Sequence, residues 1–162
     1  METLIKQIYS EWRAANADAQ RQCEQRGDFD MARKLAACRF LTGNETMPEL
    51  IDKLFSPQGR EFMTRFGFPK LETFRRFIPF HPEQYGVFID AQKIARIDDS
   101  RVCLIGNTSA WLKYRETQGN TVILMHGATA DIDASGFAVV KVERDAVSNV
   151  DVHIVDRAIV NL

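Results

Sequence analysis

The chain has 162 residues, of which 45% are hydrophobic and 27% are charged, and its formal net charge at pH 7 is −1. This composition is typical of a folded globular protein with one good core or two small ones. Because the net charge is near zero, we expect no attraction of the whole protein to nucleic acid or anionic membranes. Only local charged patches could provide such attraction.

The cysteines and the first residues favour a cytoplasmic protein. Cys23, Cys38 and Cys103 are odd in number, far apart and set in apolar or helical contexts, which is typical of reduced thiols with structural roles. Residues 1–6 contain an early acid, Glu2, and no long apolar run. We therefore expect neither a signal peptide nor a membrane-spanning segment.

Residues 1–78 are predicted to form a small helical region, because their apolar residues recur at helical spacing. The first two stripes are Leu4, Ile5, Ile8, Trp12, Ala15 and Ala19, then Met31, Leu35, Cys38 and Leu41. Thr46 and Glu49 have the spacing of a capping box and predict the start of a third helix. Ser56-Pro57 predicts the start of a fourth, since proline is tolerated at a first helical position. Pro69 begins a last short helix.

Residues 79–100 are predicted to be a connector followed by an irregular first coil or cap. Pro79 and Pro82 bracket a segment that cannot continue a helix. Residues 87–89 and 94–97 resemble strands, but they fit the repeat that follows only after a shift of about one residue.

Apolar residues recur with a period of twenty over residues 101–162. The clearest columns are Val102, Val122, Val142 and Leu162, then Ala110, Ala130 and Val150, then Leu112, Ile132 and Val152. Stacked coils of a β-solenoid need such a period, because each coil places its side chains over those of the previous coil. A β-sandwich, the alternative, gives no reason for residues twenty apart to match.

Segment starts spaced by eight, eight and twelve residues suggest three short strands in each coil, with glycine-containing corners between them. The sequence therefore predicts an α+β protein: a helical N-terminal region, then a three-strand-per-coil parallel β-solenoid, or β-helix, of about 20 residues per coil over residues 101–162.

Residues between the columns are predicted to point outward and to form two ladders. One ladder holds Trp111, Asp131 and Asp151, and the other holds Lys113, Asp133 and His153. Stacked carboxylates repel, so a counter-charge from Lys113 or a hard cation would stabilise them, and Asp133 with His153 could act as acid and base. A plain solvated face is the other interpretation. We assign no catalytic residue, metal or cofactor.

A second outward row is apolar, which indicates that it is covered. Cys103, Ile105, Ile123 and Met125 would point away from the solenoid interior, and strands that are apolar on both faces are normally buried. The helical region or a protein partner is the expected cover.

The helical region carries a local excess of positive charge. Between Lys53 and Arg76 there are six basic residues against two acidic ones. The candidates for phosphate contacts are Arg60, Arg65, Lys70, Arg75 and Arg76. The same residues fit the solvated side of amphipathic helices, so nucleic acid is the less favoured partner.

The last coil is predicted to expose unpaired backbone groups, which attract another β edge. Leu162 is still in register with Val142, and the sequence offers no residues after it for a cap. We expect this open end to join a second copy as a homodimer or to attach a protein partner.

Residues 85–91, 104–108 and 123–128, with 56–59 and 134–136, carry a resemblance to a known group. They resemble small uncharacterised proteins encoded in gut bacteria and their phages or mobile elements, over most of the chain after residue 48. The resemblance implies an accessory protein that acts by binding, and it implies no catalytic residue.

These patterns favour a non-enzymatic binding or assembly module that acts on another protein. One alternative is a carbohydrate-active or metal-dependent enzyme on the outward Asp/His face. The other is a nucleic-acid binder that uses the basic helical region.

Overall fold

The computed structural model describes residues 1–162 and divides into two compact units, Met1–Thr73 and Phe74–Leu162. The first unit is helical, and the second contains every β-strand. The predicted helical region, residues 1–78, extends past this division, so its last residues belong to the second unit. None of the helices combines the length and the apolar character needed to cross a bilayer.

Local sequence signals account for the helices. They are α1 (Glu2–Gln25), α2 (Phe29–Ala37), α3 (Met47–Phe55), α4 (Pro57–Phe66) and the short α5 (Leu71–Arg75). The predicted capping box is confirmed: the Thr46 backbone N–H donates to Glu49 Oε2 at 2.8 Å, and the Glu49 N–H donates to Thr46 Oγ1. Ser56 caps α4 with Pro57 in its first turn, as predicted.

A buried carboxylate organises the connection between α2 and α3. Glu45 accepts hydrogen bonds from the backbone N–H groups of Thr42 at 2.7 Å and Gly43 at 3.0 Å. Lys53 of α3 donates to the same carboxylate at 2.8 Å.

Close packing of α3 and α4 requires Gly59, since a Cβ there would lie 2.2 Å from the Lys53 carbonyl oxygen.

The second unit is a parallel β-solenoid, as predicted. Two 3-10 turns, Ile78–Phe80 and Pro82–Tyr85, precede the strands. The strands are β1 (Val87–Ile89), β2 (Gln92–Ile97), β3 (Arg101–Ile105), β4 (Thr108–Tyr114), β5 (Gly119–Met125), β6 (Thr129–Ala134), β7 (Val139–Arg144), β8 (Asn149–Ile154) and β9 (Ile159–Asn161). One sheet has the order β1-β3-β5-β7-β9, the other β2-β4-β6-β8, and every pairing is parallel.

The strand register confirms the twenty-residue columns, apart from Leu162, which lies after β9. Val102 pairs with Val122 and Val122 with Val142 in the first sheet. Ala110, Ala130 and Val150 align in the same way in the second sheet. A β-sandwich is excluded, because its neighbouring strands would be antiparallel.

Each coil has two strands, not the predicted three. The segment that was predicted to start at Ala138 as a separate strand belongs to β7. Val140 and Val142 both lie on this one strand, and Ala138 immediately precedes it. The true alternation is eight residues from Val102 to Ala110 and twelve from Ala110 to Val122. The longer step contains the turn between the sheets at residues 115–118 and no third strand.

The first coil is shorter than the others. Val87 pairs with Cys103 and Gln92 with Thr108, so the offset is sixteen residues instead of twenty. The predicted shift of about one residue is wrong, because the shift is four: three residues separate Ile97 from Arg101, whereas seven separate their register partners Lys113 and Thr121. The segment 79–100, predicted as a connector and irregular coil or cap, contributes β1 and β2 to the two sheets.

Aspartates at the corners join successive coils. Asp98 Oδ1 accepts the Arg115 backbone N–H at 2.7 Å, Asp145 Oδ2 accepts that of His126 at 2.6 Å, and Asp156 Oδ2 accepts that of Gly136 at 3.1 Å. Asp98 and Asp156 have positive φ values of 55° and 60°, a conformation that aspartate tolerates better than most residues. These side chains satisfy backbone donors that the ladders leave unpaired.

Candidate functional site

The predicted outward residues lie together on the second sheet, on a surface we call the ladder face. The register aligns Trp111 with Asp131 and Asp151, and Lys113 with Asp133 and His153. These six residues define the ladder face, and neighbouring strands hold them about 4.8 Å apart. Parity explains the arrangement, because the residues between them fill the solenoid interior.

One cluster on the ladder face is formed by contacts between its own side chains. The Trp111 indole N–H donates to Asp133 Oδ2 at 2.7 Å. The Lys113 ammonium lies 5.9 Å from the centroid of the Trp111 ring, within reach of a cation–π interaction. Lys113 thus contacts the tryptophan ring. The indole N–H of the same tryptophan provides one hydrogen bond to the Asp133 carboxylate.

The remaining members of the ladder face are open to solvent. Asp131, Asp151 and His153 are exposed, and Trp111 keeps 42% of its surface accessible. No group of three or more His, Cys, Asp or Glu side chains in the chain is arranged to hold a metal ion. Neither of the two described cavities is lined by a residue of this face. The face offers hydrogen bonds and an aromatic platform to whatever it contacts.

The predicted basic residues are distributed over both units. Arg60 and Arg65 lie on α4 and Lys70 follows it in the first unit, whereas Arg75 and Arg76 belong to the second unit. Several of them interact within the chain. Arg60 donates to the Phe55 carbonyl at 3.1 Å, Arg65 pairs with Glu61 at 3.4 Å, and Arg75 Nε donates to Asp90 Oδ2 at 2.6 Å.

The outward apolar row of the first sheet is buried. Cys103, Ile105, Ile123 and Met125 are each at most 2% exposed. Phe74 lies next to this row, with its ring edge toward His126 at a centroid distance of 5.8 Å. This surface is therefore part of the core of the protein and is not open to a partner.

The two last strands each lack a neighbour on one side. Strand β8 pairs only with β6, and β9 pairs only with β7. We call β8 and β9, with the side chains that face the interior between them, the solenoid end. Ile154 is 49% exposed there, whereas Ala134, its register partner in the preceding coil, is 1% exposed. The apolar interior is thus uncovered at this end.

Two exposed valines beside the solenoid end were not among the predicted site residues. Val147 and Val155 are 65% and 58% exposed and flank β8 on either side. One period earlier, the equivalent positions hold Gly127 and Ser135. This replacement of small or polar residues by valine in the last repeat is a signal that could have identified them.

No protein-family model, no curated protein and no solved structure matches this chain. What the protein can do is therefore inferred from its own geometry.

Proposed function

We propose that this chain is a non-enzymatic binding and assembly module that uses the solenoid end for attachment. One observation carries the proposal: the unpaired edges of β8 and β9 coincide with an uncovered apolar interior. An edge of this kind pairs readily with another β-strand, because backbone hydrogen bonds form while apolar surface is buried.

The partner that fits best is a second copy, joined about a two-fold axis. Antiparallel pairing of β8 with its copy, centred on Val152, sets Asp151 opposite His153 of the partner subunit on the outward side. The same register sets Val150 opposite Ile154 of the partner subunit on the interior side. A carboxylate facing an imidazole that can donate a hydrogen bond and apolar pairs directly across two strands both stabilise the pairing.

The wider role proposed for the module is that of an accessory protein of a phage or mobile element, acting on another protein in the cytoplasm. The resemblance to small proteins of gut bacteria and their phages supports the first part. Three free cysteines support a reducing compartment. The ladder face, with Trp111 exposed beside charged side chains, is available to a protein partner when the solenoid end is occupied by a second copy.

The experiment that tests the dimer is sedimentation of the purified chain over a wide concentration range. We expect a dimer that dissociates on dilution. His153→Asp puts like charges opposite each other across the two-fold axis, and we expect it to weaken the dimer about fivefold. Exchanging the two residues, Asp151→His with His153→Asp, again sets a carboxylate opposite an imidazole and should restore the affinity.

The matched control is Asp131→His, on the same ladder but one coil away from the solenoid end. It should leave the association unchanged. A chain that stays monomeric at every concentration contradicts the homodimer, and an unchanged affinity for His153→Asp contradicts the two-fold arrangement centred on Val152.

A further inference from the structure

The helical unit contains the larger of the two described cavities. Its volume is about 660 Å³, within the range of pockets that bind small organic molecules. Helices α1, α2 and α4 bound it, and much of its wall is apolar, with Cys23 from α1, Leu35 from α2, and Phe62 and Phe66 from α4. A cavity of this size and lining favours a ligand that is largely apolar.

Helix α2 leaves most of its apolar side uncovered by protein. Its only buried residue is Ala32, although the helix is amphipathic. Met31 is 43% exposed and Leu35 is half-buried, and both side chains line the cavity. A helix of this kind normally buries its apolar stripe against other residues, so a ligand in the cavity would complete the packing of α2.

The two carboxylates that line the cavity already have partners. Asp28 caps α2 by accepting the Met31 backbone N–H at 3.1 Å. Glu61 accepts from Arg65 at 3.4 Å. Neither carboxylate neutralises the remaining positive charges along the cavity wall.

Those remaining charges are Arg26 and Lys34. Arg26 donates to the Cys23 sulfur at 3.7 Å, and neither it nor Lys34 forms a salt bridge. Two cations without a salt-bridge partner beside an apolar cavity match a ligand that is negatively charged at one end.

We propose that the cavity binds a small amphiphilic anion, a carboxylate with an unbranched hydrocarbon chain of medium length. The carboxylate head lies between Arg26 and Lys34, and the hydrocarbon chain lies along Leu35 and Phe62. This site belongs to the helical unit and is independent of the association proposed for the solenoid end.

The first test is calorimetric titration of the full chain with dodecanoate below its micelle concentration. We expect one molecule to bind per chain. Dodecyltrimethylammonium has the same hydrocarbon length and the opposite charge, and we expect it to bind at least tenfold more weakly. Absence of saturable binding by dodecanoate, or equal binding of both amphiphiles, overturns the proposal.

The charge variants locate the head group. Arg26→Gln with Lys34→Gln removes both unpaired cations, and we expect affinity for dodecanoate to fall about tenfold, which corresponds to the loss of a charge-assisted hydrogen bond. Arg21→Gln with Arg33→Gln is the matched control, since it removes one cation each from α1 and α2 outside the cavity lining. An equal loss in the control overturns the assigned site, because it would indicate attraction by overall charge.

Two further readouts place the hydrocarbon chain. In Trp111→Phe the only tryptophan left is Trp12, which is linked to the cavity wall through Phe40 and Phe62 at centroid distances of 6.2 Å. Dodecanoate should change its fluorescence. Cys38 lines the cavity and is the only cysteine that is not fully buried, so dodecanoate should slow its modification by a charged disulfide reagent. Binding that alters neither signal overturns this location.

Discussion

The corner aspartates hold successive coils together through backbone hydrogen bonds, and Asp98 makes the most contacts. Asp98 receives the backbone N–H groups of both Arg115 and Glu116, at 2.7 and 3.3 Å, and pairs with the Arg115 guanidinium at 3.2 Å. The Arg115 N–H in particular holds the pKa of this carboxyl below its usual range, against the opposing effect of burial. The charged form of Asp98 is therefore part of the folded state.

Asp98→Asn is expected to reduce stability by about 1 kcal/mol at neutral pH, comparable to the loss of a side-chain cap. Because the folded-state pKa of Asp98 is lowered, its contribution is complete above the unfolded value near 4 and is lost as pH falls through the lower folded value. The difference between wild type and variant should therefore shrink below about pH 4. Urea unfolding at several pH values measures it.

Asp131→Asn is the control for this series, since that carboxylate lies exposed on the ladder face. We expect no change in its unfolding free energy at neutral pH. A constant difference for Asp98→Asn across the acid range would contradict the ionic role of Asp98.

At the scale of residues, sequence spacing predicts rows but not the contacts between rows. The alignment of Trp111 with Asp131 follows from the twenty-residue period. The hydrogen bond from Trp111 to Asp133 runs diagonally, to a residue one coil on and two positions along, and depends on a side-chain rotamer that a repeat does not specify. The partners of the corner aspartates likewise require the length of each connection, which varies along the chain.

The elements of the helical unit depend on one buried charge. Burial would raise the pKa of Glu45, but hydrogen bonds from Lys53 and Thr42 lower it to about 2. The side chain of Glu45 is only 3% exposed, while that of Lys53 is 35% exposed. This carboxylate fixes the chain between α2 and α3 by satisfying backbone donors that have no helical partner.

Glu45→Gln is expected to destabilise the helical unit by about 2 kcal/mol, because hydrogen bonds to a charged, buried group are lost or weakened. The exposed pair on α4 provides the comparison: Glu61→Gln should change stability by less than about 0.5 kcal/mol. Chemical unfolding followed by circular dichroism compares the two variants. Equal effects would show that burial of Glu45 does not matter.

Helix starts could be predicted from the sequence, and the twenty-residue period also contained the number of strands in a coil. A capping box such as Thr46 with Glu49 acts through atoms three residues apart, so its signal is local. The three-strand prediction is wrong because steps of eight, eight and twelve residues exceed one period of twenty, whereas one step of eight and one of twelve fill it.

At the scale of the molecule, coils that repeat every twenty residues are interchangeable units. Residues 129 and 149 are register partners, and each immediately precedes a residue of the next register pair, Ala130 with Val150. Removing one full period leaves the alternation of interior and exterior side chains unchanged, so the shortened solenoid keeps its columns.

We predict that a chain lacking residues 129–148 folds into a solenoid one coil shorter, with reduced thermal stability and retained β-sheet signal. Removing residues 129–147 instead shifts the alternation by one position and turns Asp151 and His153 into the interior. That variant should not form the last coil. Similar melting curves and proteolysis patterns for the two deletions would contradict the stacked register.

The sixteen-residue offset distinguishes the first coil from the coils that follow, which are offset by twenty. Coils of equal length can stack one coil out of register and still align their interior side chains. Several arrangements of nearly equal energy then exist. The shorter first coil, from Val87 to its register partner Cys103, differs in length from every later coil and cannot exchange places with one of them. We therefore expect the first coil to fix the register in which every later coil stacks.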